Sequence, residues 1–277
     1  MTDSSSNKQL APMDKLKNMI AHPSVAQQFE NCMGENKSLF VASLIDVYGS
    51  DTYLQKCDPK YVIQEALKAA TLKLPINKNL GFAYIVPYQK SKKVGTAWVK
   101  EQIPQFQIGY KGYIQLAMRT GAYKYINADV VYEGELQSTD KLSGEINLNG
   151  TRTGGTIIGY FAYIETLNGF KKIMYGTKEQ ITAHAEKYSA SFKSATSAWK
   201  TNFDEMAIKT MLRNLLSKYG VMSVEMASAF SADYDERTAE ARHDDDIIEH
   251  ANSDIIDIEG EDVAEAPETA KSVGPSF

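Results

Sequence analysis

Between Gln107 and Gly121 an aromatic strand pattern runs directly into a helical one, so the chain must place a helix at the end of a β-strand. Phe106, Ile108 and Tyr110 alternate as on a strand. With a helix starting near Tyr110, Lys111, Gln115 and Arg119 follow at steps of four and share one face, while Tyr110, Ile114 and Met118 line a neighbouring one. Two cations and an amide in a row suit a polyanionic backbone. The same spacing also suits a solvated surface helix.

A second segment, Trp199 to Gly220, carries similar chemistry. Ile208, Met211, Leu212, Leu215, Leu216 and Tyr219 keep helical spacing, Asn202 and Glu205 can form a capping box, and Gly220 can supply a left-handed stop. Lys209 and Arg213 stand four apart on what reads as the outer side, with Lys218 near the end. Asp204 and Glu205 fit the positive end of the helix and need no catalytic role.

Around these segments the chain divides by period. Helical spacing runs from Pro12 to Ile20, Ser24 to Met33 and Lys37 to Tyr48, where Gly49 fits a stop, and Asp58-Pro59 caps a helix through Val62, Ile63, Ala66, Leu67 and Ala70. Phe82, Tyr84, Val86 and Tyr88 then alternate along a strand. Lys90, Lys92, Lys93, Trp98 and Lys100 lie between it and the strand ending at Tyr110, reading as a basic hairpin arm or as a long loop whose Trp folds back. Further strands are expected at Tyr125–Tyr132, Thr156–Glu165 and Phe170–Tyr175, the last two joined by a two-residue turn at Asn168-Gly169. Thr177 and Gln180 can box a helix to Tyr188.

The formal charge of −5 averages two opposed regions. Residues 231–277 hold 15 Asp or Glu against 3 Lys or Arg, leaving 20 acidic and 27 basic residues before them. A basic body fits nucleic acid, and an acidic tail fits either a partner or solubility. Cys32 and Cys57 show no metal or redox spacing, and the four histidines are scattered. Without a signal peptide or a membrane-length apolar run the chain reads as cytoplasmic, with no membrane partner.

Enzyme signatures are weak. Gly150 to Thr156 lacks the order of a phosphate-cradling loop and reads as a turn before a strand. Asp244, Asp245 and Asp246 read as solvated carboxylates rather than a magnesium site. Glu133 with Glu135, or Asp204 with Glu205, keep a metal-dependent nuclease open as an alternative, and a plain single-strand binding protein is another.

Leu80-Gly81-Phe82-Ala83-Tyr84-Ile85-Val86-Pro87-Tyr88, then Gln107 to Gly121, then Trp199 with Phe203 to Arg213, occur in an order that resembles the RecT family of phage recombinases. The resemblance spans roughly Leu39 to Val224. It implies an α+β fold, with a small antiparallel β-sheet packed with a long helix, and ATP-independent annealing of complementary DNA strands without a cofactor. It also implies homo-oligomeric rings or helical filaments on single-stranded DNA and on the annealed duplex. Carried over residue by residue, the DNA contacts are Lys111, Gln115, Arg119, Lys209 and Arg213, joined by Tyr110, Trp98 and Trp199 and by the arm lysines Lys92, Lys93 and Lys100. Asn214 stands where relatives often carry a second basic residue. The arm is expected to meet DNA or a neighbouring protomer. The expected organisation is a partly disordered helical segment over 1–36, an annealing core over 37–230, and a partner-binding tail over 231–277 for a phage exonuclease or a host single-strand binding protein.

Overall fold

The computed structural model describes residues 10–94, 97–189, 191–195 and 197–234. The expected tail lies outside them, except for its first four residues.

Four helices open the chain: α1 (Pro12–Ala21), α2 (Pro23–Met33), α3 (Lys37–Ser50) and α4 (Pro59–Thr71). Leu16, Phe29, Phe40, Leu44, Tyr48, Val62 and Ala66 are buried where they meet, with the Phe29 and Phe40 ring centroids 5.9 Å apart. Thus α1 and α2 share the core of α3 and α4. Asp58 caps α4 as its sequence position predicts, accepting the Lys60 backbone N–H at 2.9 Å. Gly49 does not stop α3, which continues to Ser50 and leaves through an extended Asp51.

A long antiparallel hairpin follows, β1 (Ala83–Val94) with β2 (Ala97–Ile108), in register from Ala83 opposite Ile108 to Val94 opposite Ala97. Ala83, Ile85, Phe106 and Ile108 enter the core near α4, whereas Ala97 to Glu101 are exposed. The basic segment between the aromatic strands is therefore a hairpin arm. Its base feeds directly into α5 (Tyr110–Arg119).

The second sheet is antiparallel, in the order β3 (Tyr123–Tyr132), β6 (Ile157–Thr166), β7 (Lys171–Thr177), and a two-stranded flap, β4 (Ser138–Thr139) with β5 (Ile146–Asn147), interrupts it in sequence. The turn from β6 to β7 has three residues rather than two. Thr166 N–H bonds the Phe170 carbonyl, and Gly169 at φ 87° donates to the Thr166 carbonyl, which is a turn followed by a left-handed residue. Thr177 and Gln180 form the expected capping box of α6 (Lys178–Tyr188).

A short helix, α7 (Ala198–Thr201), leads to the long helix α8 (Phe203–Tyr219), which lies across β3, β6 and β7. Tyr160, Ala162 and Ile164 on the middle strand are buried toward it, together with Ala207, Met211, Leu212 and Leu215. The α+β expectation holds: a small antiparallel sheet packs with a long helix. The local stop and start signals of α8 differ from expectation. Asn202 makes no capping bond, its amide being 3.5 Å from the Glu205 carboxylate, and Gly220 sits at φ −76°. The chain instead leaves α8 by an anchor, since the Tyr123 hydroxyl accepts the Val221 N–H at 2.5 Å. A further helix, α9 (Val224–Tyr234), then runs past the expected tail boundary at 231 and buries Met226 and Ala229.

Candidate nucleic-acid interface

Two glycines bring the first motif against the second. A Cβ at Gly109 would collide with the carbonyl oxygen of Gly81, and one at Gly112 with that of Phe82. Only bare backbone lets the first turn of α5 lie against the start of β1, where Gly109 N–H donates to the Phe82 carbonyl at 3.0 Å. The sequence contains these glycines, but their purpose shows only when both segments are in place.

Above Gly81 the aliphatic stem of Lys111 and the hydroxyl of Tyr84 converge, 3.4 and 3.3 Å from where a Cβ would stand. The Lys111 ammonium lies 5.9 Å from the centre of the Tyr110 ring. Burial raises the Tyr84 phenol above its ordinary range, and the Glu205 carboxylate and Tyr110 push it further, while the Lys209 ammonium opposes them. Glu205 and Lys209, from the first turns of α8, therefore lie within electrostatic reach of Tyr84, as does Tyr110. The junction of β1, α5 and α8 thus gathers two cations, two tyrosines and one carboxylate. Such a set can hold a phosphate chain and offer a ring to a base. In the sequence Tyr84 is one member of an alternating strand pattern, which carries no sign of this position.

Lys209 is only 8% exposed, so it does not stand on an outer side of α8. Arg213 is half-buried, its guanidinium carbon 5.7 Å from the centre of the Phe230 ring. For Arg213 the neighbour is α9, whose Phe230 also stacks on Tyr113 of α5 at 5.4 Å. Tyr219, expected in the core, is exposed instead and carries the Lys172 ammonium 5.4 Å over its ring.

Along α5 the polar row holds as a surface feature, with Lys111, Gln115 and Arg119 all exposed, while Gly112, Tyr113, Leu116 and Ala117 form the buried face. Met118 is exposed rather than shared with Tyr110 and Ile114. Arg119 is already engaged: its two terminal nitrogens donate to the carbonyls of Leu72 and Lys73 at 2.7 and 2.9 Å, closing the end of α4. A guanidinium fork on carbonyls at a helix C-terminus fits both its geometry and the helix dipole.

Trp199 is not an exposed stacking platform. It is 6% exposed and meets Phe203 edge-on at 5.5 Å and Phe192 at 6.3 Å. Trp98 is 70% exposed near the arm's end, with Lys100 exposed two residues on. Lys92 and Lys93 lie on β1 opposite Val99 and Trp98. The arm residues are thus strung along a hairpin, and the structure does not gather them with the junction of β1, α5 and α8.

Two of the carboxylates that would serve a nuclease, Asp204 and Glu135, have structural bonds. Asp204 accepts the Tyr160 hydroxyl at 2.5 Å, and burial together with this bond and its charge pushes the phenol well up. Glu135 accepts the Tyr132 N–H at 2.7 Å. Among the described residues no three His, Cys, Asp or Glu side chains gather as a metal set, and no helix is long and apolar enough to cross a membrane. Asp244, Asp245 and Asp246 lie outside the described residues.

Comparison with known proteins adds sequence relatives. The RecT family model matches residues 38–248, which include all three segments of the junction. The uncharacterized protein YqaK of Bacillus subtilis (strain 168) is 45% identical over 246 residues, 88% of this chain and 79% of that protein. Protein RecT of Escherichia coli (strain K12) is 30% identical over 188 residues, 65% of each chain.

Proposed function

The chain belongs to the RecT family, and from that membership we propose that it is an ATP-independent single-strand annealing protein of phage recombination, which binds single-stranded DNA, assembles on it and pairs complementary strands. The observation that supports this reading most is the convergence of Lys111 with Tyr84 and Tyr110 where α5 meets β1, with Lys209 of α8 within electrostatic reach of Tyr84. Lysines supply attraction to any phosphate chain, and each stacked base adds about 1–3 kcal/mol on an aromatic ring. Gln115, one turn along α5, extends the same surface. Base pairing drives the reaction, so the protein needs to neutralise two backbones and leave base edges free, and neither nucleotide nor metal enters. Residues 231–277, with their excess of carboxylates, serve protein partners such as a phage exonuclease or a host single-strand binding protein rather than DNA. The setting is the cytoplasm of the bacterial host.

The direct experiment mixes two labelled complementary oligonucleotides with the protein, with and without magnesium and without nucleotide. Pairing faster than the protein-free rate, with both strands intact, is the expected result. Cleaved strands would favour the nuclease alternative, and binding without accelerated pairing would leave a plain single-strand binding protein.

A further inference from the structure

The three-stranded sheet has a second face. Cross-strand register sets Asp129, Phe161 and Tyr175 in one row, Asn127, Tyr163 and Ile173 in the next, and Tyr125, Glu165 and Lys171 in the third. These side chains alternate with the ones buried toward α8, and Tyr125, Phe161, Tyr163, Ile173 and Tyr175 all lie outside the hydrophobic core. Tyr125 is 56% exposed. The Tyr175 ring lies against Gly159, where a Cβ would come within 2.6 Å of it, so the surface there is a flat aromatic shelf.

The charges on this face do not suit DNA. Lys124 and Lys171 share the single carboxylate of Glu165, at 3.0 and 3.3 Å, which leaves one positive charge at that end of the face against Asp129 and Glu179 beside the Phe161–Tyr175 row. An aromatic shelf with a carboxylate rim fits an apolar group flanked by cations. The hairpin arm is built that way: between Gln89 and Gln102 it holds four lysines against one glutamate, and it exposes Trp98 at 70% and Val99 at 48%. Ala97 to Glu101 extend about 16 Å at the rise of a β-strand. The exposure of Trp98 shows that the arm does not rest on the shelf of its own chain.

We propose that the arm tip of one protomer, through Trp98 and Val99, docks on the Phe161–Tyr163–Tyr175 face of a second copy of this chain. This rests on the annealing reading and names the surfaces through which its assembly forms. Each protomer gives one arm and receives another, so the contact is heterologous and propagates as a ring or a filament. A Trp buries about 150–250 Å², well below the roughly 800 Å² per partner of a stable interface. Protomers therefore join chiefly when a DNA strand holds them side by side and raises their effective concentration.

The test compares Trp98→Ala and Phe161→Lys with the parent protein on two oligo-dT probes, one long enough for many protomers and one for a single protomer. The parent should form large particles on the long probe, and each variant should fall to single protomers by mass photometry. Phe161→Lys should keep its affinity for the short probe within about twofold, since the sheet face is not on DNA. An equimolar mixture of the two variants should restore pairs but no longer chains, because only one intact arm and one intact shelf remain to meet. In a Cys32→Ser, Cys57→Ala background, Ala97→Cys with Tyr125→Cys, which keeps Trp98, should cross-link into a ladder on the long probe. Undiminished particles from either variant, or a cross-linked dimer from Ala97→Cys alone, would overturn the pairing. So would loss of short-probe binding by Trp98→Ala, which would put the arm on DNA. If the parent protein bound neither probe, the annealing reading itself would fail, an outcome separate from these.

Discussion

Lys111 and Lys209 reach the junction by different routes. Lys111 extends from the exposed face of α5 with its stem over Gly81, while Lys209 is carried there from within the packed part of α8. If both ammonium groups meet phosphate, Lys111→Ala and Lys209→Met should each weaken binding to unrelated single strands. Each should also flatten the salt dependence by about 0.7 in log-log slope, as for one phosphate contact on a single strand; anisotropy titrations across a salt series measure both, and unchanged slopes would detach the lysines from the backbone. Arg119 should behave differently because its fork already holds two carbonyls. Arg119→Ala is expected to cost about 2 kcal/mol in urea unfolding, the scale of a hydrogen bond to a charged group, and to leave the salt slope in place. Glu165 gives a pH signature. Hydrogen bonds from Lys124, Tyr163 and Lys171 hold its carboxyl down at about 2, against an ordinary 4.5. A folded pKa below the unfolded one means its contribution is whole above about 4.5 and fades as the pH falls toward 2. Glu165→Gln should therefore show a smaller drop in melting temperature between pH 5 and pH 3 than the parent protein; an equal drop would show that this network does not matter to stability.

At the scale of elements, the approach of α5 to β1 depends on backbone. Gly112→Ala would press a methyl against the Phe82 carbonyl and the Ile108 side chain. Overpacking of this kind costs about 1–3 kcal/mol, and because the junction must open, DNA affinity should fall along with the urea midpoint. A variant with wild-type stability would show that the contact is loose. Local signals were legible in the sequence: Asp58 before Pro59, the Thr177–Gln180 box and the aromatic alternation of the arm each depend on residues a few positions apart. What was not legible depends on distant partners. Arg213 turns inward because Phe230 of α9 reaches it while stacking on Tyr113, and α9 begins with a loosely patterned Val224-Glu225-Met226 just ahead of an acidic run. Trp199 likewise reads as a free aromatic until Phe192 and Phe203 close around it. The Gly220 and Gly49 stops failed because a tyrosine anchor and an extended Asp51 end those helices without left-handed backbone.

For the whole molecule, the arrangement puts a cationic, tyrosine-lined junction at the meeting point of the helical bundle, the arm base and the long helix. A groove serving two phosphate chains completes its counterion release only when the second strand enters, so the annealed product should be held more firmly than either strand. The most direct measurement adds two complementary oligonucleotides one after the other, without nucleotide or metal, and follows particle size and salt resistance. Complexes formed by sequential addition should be larger and survive higher salt than those made with one strand or with preformed duplex. Complexes no larger and no more salt-resistant than those of a single strand would contradict the account.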